Sequence, residues 1–143
     1  MRDRRIDSTE ARAWLLVFDD GDEALATLEA FVRRHGVAGA DFTAIGAFAS
    51  ATIAFFDLAT KEYEEIPVEE QVEVLSLAGN VAIAEGEPKL HAHVVLGRRD
   101  GTALGGHLLR GVVRPTLELV LRDSGARWQR RRDEATGLPL LVP

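Results

Sequence analysis

Three of the four histidines in this 143-residue sequence lie close together, at His91, His93 and His107. His91 and His93 are separated by one residue, so in a β-strand both rings point to the same face of the sheet. The stretch between His93 and His107 contains Asp100-Gly101, a pair typical of a tight hairpin turn. A hairpin at this point would bring the third ring toward the first two.

The register of this hairpin decides whether the rings meet. If the loop consists of residues 99–101, His93 falls directly opposite His107. Directly opposed residues have Cβ atoms roughly 4.5 to 5.5 Å apart, close enough for two imidazoles to share one metal ion. A slip of one residue would be absorbed by a bulge at Gly105-Gly106. In either register we expect the three rings to converge.

The three imidazoles predict a divalent metal site, with zinc as the ion. Neutral imidazole binds zinc at about 2.0 to 2.1 Å, and three protein ligands with one open position are typical of catalytic zinc sites. The sequence contains no cysteine, so a metal must be held by imidazole and oxygen. A single histidine would more often be a hydrogen-bonded sheet residue, but three in one hairpin favour the metal site. The open position would hold water or a small-molecule ligand, and no residue is assigned to catalysis.

Other polar residues are weaker candidates for a role at the metal site. Glu85, Glu87 and Glu118 are candidates to accept the second N–H of a metal-bound histidine, and the alternative for each is a solvated surface acid. His35 follows a helical segment, where a cationic imidazole favours the helix dipole, so we expect a structural role. The basic run Arg130–Arg132 is interpreted as a solvated face, with nucleic-acid contact as the alternative.

The elements that must position these residues are one helix and many short strands. Apolar spacing of three and four predicts a helix over Glu23–Arg34, ended by Gly36. The segment 71–84 is either a hairpin or a strand broken by a bulge at Gly79-Asn80, and the tail from Ser124 should hold one short extended segment and a loose end. The other strands are predicted at residues 11–18, 42–46, 49–56, 62–68, 90–96, 102–109 and 115–122. This pattern predicts an α+β fold, a compact, mostly antiparallel sheet with one main helix.

Composition narrows the classes of function. With 46% hydrophobic residues, the chain can build the core of one domain. The net charge of −6 gives no broad attraction for nucleic acid. Residues 1–12 are charged and lack the apolar core of a signal peptide, and no apolar run approaches the roughly 20 residues of a membrane span. We therefore expect a cytoplasmic protein without membrane contact.

Three segments together resemble one known family. They are Phe42–Asp57 (FTAIGAFASATIAFFD), Val72–Asn80 (VEVLSLAGN) and Leu90–Leu109 (LHAHVVLGRRDGTALGGHLL). They are similar to the plants and prokaryotes conserved (PPC) domain, which stands alone in bacteria and archaea and accompanies AT-hook motifs in plant nuclear proteins. The resemblance divides the chain into an N-terminal extension (1–12), a PPC-like domain (13–123) and a C-terminal tail (124–143).

The resemblance implies a homotrimer, with the matching residues His91, His93 and His107 as a zinc site near a subunit boundary. The apolar segment Ala44–Phe56 also favours an oligomer, because an interface would cover apolar side chains that one sheet face does not hide, and the alternative is that this stretch is ordinary core. Plant members contact DNA through AT-hooks with an Arg-Gly-Arg core, which this sequence lacks. The first hypothesis is a trimeric zinc domain that binds or acts on a small ligand, and the alternative is a DNA-associated or regulatory interaction module.

Overall fold

The structure, a computed structural model, describes residues 1–5 and 11–142. Part of the predicted N-terminal extension, residues 6–10, and residue 143 lie outside the described residues. The described elements, in chain order, are β1 (Arg2–Arg5), β2 (Arg12–Phe18), α1 (Ala24–His35), β3 (Gly39–Asp57), β4 (Glu62–Val68), β5 (Val72–Ala84), β6 (Glu87–Gly97), β7 (Ala103–Asp123), β8 (Gln129–Arg132) and β9 (Pro139–Val142).

The nine strands found among the described residues belong to one sheet, which confirms the predicted α+β, mostly antiparallel fold. The strands run in the order β1-β2-β7-β3-β5-β8-β9, with β4 paired to β3 and β6 paired to both β5 and β7. Every pairing of these strands is antiparallel except the single parallel bridge between Ile83 of β5 and Gln129 of β8. Among the described residues, no helix is both long and apolar enough to span a bilayer.

The helix agrees with its sequence signals. The Glu23 carboxylate caps its start by accepting hydrogen bonds from the Leu25 and Ala26 backbone N–H groups. Gly36 ends it in the left-handed conformation, with φ of 64°. The helix buries Leu28, Phe31 and Val32 in a core that it shares with β6 and β7. The predicted bounds were one residue too early at each end.

Two strands are longer than predicted, because each joins two segments that were predicted as separate strands. The predicted strands 42–46 and 49–56 are one strand, β3, which bends at Gly46 with φ of 151°. A Cβ on Gly46 would lie 2.3 Å from the Thr116 carbonyl oxygen, so only glycine fits there. The predicted strands 102–109 and 115–122 are likewise one strand, β7.

The segment 71–84 is a single strand, β5, and its bulge lies between Val74 and Ser76 rather than at Gly79-Asn80. Gly79 stays within the ladder, where a Cβ would lie 2.3 Å from Cζ of Phe42. The Phe42 ring therefore takes the space above Gly79. This packing explains why residue 79 is a glycine, which the sequence suggested as part of a hairpin turn or a bulge.

The prediction of a loose C-terminal end was wrong. The tail forms a hairpin, in which Gln129 of β8 pairs with Val142 of β9. Trp128 fastens it to the sheet, since its N–H donates to the Ala38 carbonyl (3.1 Å) and its carbonyl accepts from the Ile83 N–H (2.9 Å). The tail thus lies beside β5 and reaches the region of the histidines.

Candidate metal centre

The turn between β6 and β7 sets the register of the histidines. The Arg98 N–H donates to the Thr102 carbonyl (2.8 Å), and Gly101 takes the left-handed conformation with φ of 83°. The Asp100 carboxylate accepts from the Thr102 hydroxyl (2.7 Å) and N–H (2.9 Å), and these bonds lower the pKa of Asp100. The predicted three-residue loop is therefore confirmed.

Beyond this turn the β6–β7 ladder continues without a bulge to His93, which pairs with His107. The two glycines before His107 allow β7 to lie tightly between its neighbours. A Cβ on Gly105 would lie 2.7 Å from the Val94 carbonyl oxygen of β6, and one on Gly106 would lie 2.8 Å from the Ala54 carbonyl oxygen of β3. The Gly-Gly-His sequence therefore holds the His107 backbone between β6 and β3.

The structure brings all three predicted histidines together. One ring nitrogen from each lies within 4.8 Å of the others, and the group contains no carboxylate. The ring centroids are 5.0 Å apart for His91–His93, 5.1 Å for His91–His107 and 5.4 Å for His93–His107. His93 is exposed and the other two rings are half-buried. Three imidazoles in this arrangement could hold a metal ion.

The nitrogens themselves fit a zinc ion. Nε2 of His91 and Nε2 of His93 are 3.2 Å apart. Two imidazole nitrogens bound tetrahedrally to one zinc at about 2.0 to 2.1 Å are separated by about 3.3 Å. In addition, Nδ1 of His107 is buried and has no hydrogen-bond partner among the described residues. Because buried polar atoms are rarely left unpaired, the cluster is suited to a species that the chain does not supply.

The surroundings of His91 and His107 favour the neutral imidazole, which is the form that binds metal. Burial lowers the pKa of His91 to about 4, and the charge of Arg130 adds to the shift. Burial also lowers the pKa of His107, followed by the charges of His93 and Arg130. At neutral pH the His91 ring is therefore unprotonated, and the lowered pKa of His107 favours its neutral form.

Arg130 is a site residue that the sequence did not reveal, and its interpretation as part of a solvated face was wrong. Its side chain is half-buried and donates to the Asn80 side-chain oxygen and to the Pro139 carbonyl (3.0 Å). Asn80 pairs with His91 across the β5–β6 ladder, so the bond from Arg130 to Asn80 places the guanidinium near the histidine cluster. Arg131 and Arg132 remain exposed, as predicted.

A cavity of about 410 Å³ opens beside the cluster. Tyr63 lines part of it, with its ring centroid 4.9 Å from that of His107 and the ring planes tilted by 34°, and Phe56 contacts Tyr63 edge-on. Residues of the β8–β9 hairpin form another part of its lining. The cavity lining comprises Tyr63, Ala84, Glu85, Lys89, Leu90, His91, His107, Arg130, Arg132, Gly137, Leu138, Pro139 and Leu140.

The predicted accessory residues do not join the histidines. Glu87 forms an ion pair with Arg33 of the helix, and Glu118 is exposed on β7 opposite Ile45. Glu85 lines the cavity but does not belong to the group that could hold a metal. His35 has a structural position, because its ring stacks on Phe31 with centroids 4.2 Å apart.

Comparison with known structures gives close relatives over nearly the whole chain. A metal-containing protein of Archaeoglobus fulgidus is 35% identical, with 100% of this chain and 99% of that chain covered and a TM-score of 0.86. A plant- and prokaryote-conserved (PPC) protein of Pyrococcus horikoshii is 32% identical, with 99% and 95% covered and a TM-score of 0.86.

A third structure, from Bacteroides thetaiotaomicron, is provisionally described as a DNA-binding protein; it is 28% identical, with 98% and 96% covered and a TM-score of 0.89. No curated protein matches the sequence. The model of the Plants and Prokaryotes Conserved (PCC) domain matches residues 6–124. The chain therefore belongs to the plants and prokaryotes conserved domain family.

Proposed function

We propose that this protein is a trimeric zinc-binding domain, in which His91, His93 and His107 are the ligands and the open fourth position binds a small molecule. The observation that carries the proposal is the meeting of three ring nitrogens, two of them 3.2 Å apart, in a group without any carboxylate. The description of the Archaeoglobus fulgidus relative as metal-containing supports it. The cytoplasmic location expected from the sequence is part of this proposal.

A zinc ion with one open position can act as a Lewis acid or lower the pKa of a bound water to about 7. The chain's own residues hold and shape the position. The ladder pairing of His93 with His107 fixes two ligands on adjacent strands, and Tyr63 shields one side of the His107 ring. The cavity gives a small molecule room beside the ion.

The trimer is supported by apolar side chains on the outer side of the sheet. Ile45 is 60% exposed and Leu75 54%, while their neighbours Ala44 and Val74 are buried. The β3–β5 register places Ile45 opposite the bulge that contains Leu75, and Val95 pairs with Ser76 of the same bulge. A contiguous apolar patch of this kind on a small domain favours contact between subunits.

Metal analysis of the purified protein tests the zinc site. We expect one zinc per chain, with loss of binding in His93→Ala and full retention in the control His35→Gln, the one histidine outside the cluster. His93 is exposed, so its replacement removes a ligand with little effect on packing. A wild-type protein that takes up no zinc when titrated with the ion would refute the proposal.

DNA binding is a second candidate, because the Bacteroides thetaiotaomicron relative is provisionally described in that way. Two features of this chain disfavour it. The net charge is −6, and Arg130 of the basic run is bonded to Asn80 and Pro139. A gel-shift titration of duplex DNA at low and moderate salt decides between the candidates. Retardation that weakens steeply with salt would support DNA binding, and no shift at low salt would exclude direct binding.

A further inference from the structure

The cavity beside the histidines carries an excess of positive charge. Lys89, Arg130 and Arg132 contribute three cations to its lining, against one carboxylate from Glu85. A bound zinc ion would add two further charges, because three neutral imidazoles do not neutralise it. Uncompensated cations in a partly desolvated site favour the binding of an anion.

Arg130 is the cation best placed for that anion. Its guanidinium is partly buried, and among the described residues no carboxylate lies within ion-pair distance of it. Its Nε is buried and has no hydrogen-bond partner there. The bonds to Asn80 and Pro139 use only part of its five donors and fix its position beside His91. A partly buried guanidinium without a counter-ion is stabilised by a ligand that supplies one.

The rest of the cavity is suited to an apolar body. Leu90 of β6 lines the cavity together with three residues of the tail hairpin, Leu138, Pro139 and Leu140. The tail hairpin thus supplies both the guanidinium and an apolar surface. The volume of about 410 Å³ falls within the range of roughly 300 to 1,000 Å³ typical of small-molecule pockets.

We infer that this cavity binds an organic monocarboxylate, with the carboxylate held between Arg130 and the open metal position and the apolar body packed against Leu90 and Leu138. The inference rests on the proposed zinc site, and it names the chemical class of the small molecule that binds there. A planar carboxylate has two oxygens and can accept from a guanidinium while it also binds a metal. The apolar wall favours this class over inorganic phosphate, which has no apolar part to bury.

Calorimetric titration of the zinc-loaded protein tests the inference, with 3-phenylpropanoate as the probe. The neutral analogue 3-phenylpropan-1-ol keeps the apolar body and lacks the charge, while acetate keeps the charge and lacks the body. We expect 3-phenylpropanoate to bind at least tenfold more tightly than either analogue. Comparable affinity for the alcohol, or tighter binding of inorganic phosphate, would overturn the assignment.

Variants locate the binding. Arg130→Gln should weaken 3-phenylpropanoate at least tenfold and leave the zinc stoichiometry at one. The matched control is Arg131→Gln, because Arg131 is the next residue of β8, is exposed and does not line the cavity. Equal affinity in Arg130→Gln and wild type would refute the role of the guanidinium. If Arg130→Gln does not fold, the probe comparisons on wild type decide the inference.

The two proposals fail differently. Stoichiometric zinc without preferential carboxylate binding would overturn this inference and leave the proposed function intact. A wild-type protein without zinc affinity would overturn the proposed function, and the carboxylate site described here with it.

Discussion

His93 and His107 pair directly across β6 and β7, and the ladder from the Asp100-Gly101 turn to this pair contains no bulge. The turn therefore controls the distance between two of the three rings. His91 joins them from the same strand as His93, because residues two apart share a face. The short Asp100-Gly101 turn therefore brings together histidines from two strands.

Zinc should stabilise the fold through this pair. Binding to the native state alone adds about 2.7 kcal/mol when free zinc is about 100 times its Kd, and this corresponds to a rise in Tm of roughly 5 to 10 °C for a chain of this size. We expect that rise for wild type in a thermal melt, its reversal by a chelator, and none in His107→Ala. An equal rise in the variant would mean that zinc binds elsewhere.

The glycines before His107 should be intolerant of any side chain. Gly106→Ala places a Cβ about 2.8 Å from the Ala54 carbonyl oxygen, so β7 must move away from β3. We expect a loss of about 1 to 3 kcal/mol in the free energy of unfolding, the usual cost of overpacking, together with weaker zinc binding. Denaturant melts and zinc titration measure the two effects. Ala103→Ser, an exposed change on the same strand, serves as the control, and a Gly106→Ala protein with wild-type values would contradict the packing argument.

Replacing Arg12 and replacing Asp123, the two partners of one ion pair, should cost different amounts of folding stability. Asp123 is buried, and Arg12 donates from Nε at 2.9 Å while about a third of its side chain remains exposed. Arg12→Met leaves the carboxylate buried without its partner, so we expect a loss of about 2 to 3 kcal/mol. Asp123→Asn leaves a guanidinium that reaches water, and it should cost about 1 kcal/mol. Urea melts at pH 7 measure both, and the reverse order would contradict this account.

The sequence predicted what depends on short-range pattern. The helix, the three-residue loop and the opposition of His93 to His107 follow from caps, a turn pair and strand alternation. Gly79 was interpreted as part of a turn or a bulge, and the strand through Gly46 was divided in two, because these glycines admit Phe42 and Thr116, and such contacts join distant parts of the chain. Pattern alone cannot distinguish a glycine that turns the chain from one that admits a neighbour.

Arg130 was missed for the same reason. Its approach to His91 depends on the contact of the tail with β5, where Trp128 bonds to Ile83 and Arg130 bonds to Asn80. Nothing local in an Arg-Arg-Arg run distinguishes the residue that turns inward. Alternation along β8 places Arg130 and Arg132 on the cavity side and Arg131 away from it, but only once the strand and its neighbour are known.

The proposed trimer uses the apolar patch formed by Ile45, Leu75 and Val95, and a mutation in this patch tests it. Ile45 belongs to this patch and lies opposite the bulge with Leu75, so a charge there would be desolvated in a subunit contact that uses the patch. We expect Ile45→Glu to convert a trimer into monomers in light scattering coupled to size exclusion. Leu58→Glu is the control, because Leu58 is 68% exposed in the turn after β3, away from this patch.

If Ile45→Glu remains trimeric, the contact lies elsewhere and the patch has another occupant; if wild type is monomeric, the trimer itself is refuted. The variant also reports on the metal site, because His93 and Val95 share one side of β6. A monomer that still binds one zinc per chain would establish that the three histidines of a single subunit suffice. Loss of zinc together with loss of the trimer would instead mean that subunit contact holds the exposed His93 ring in place.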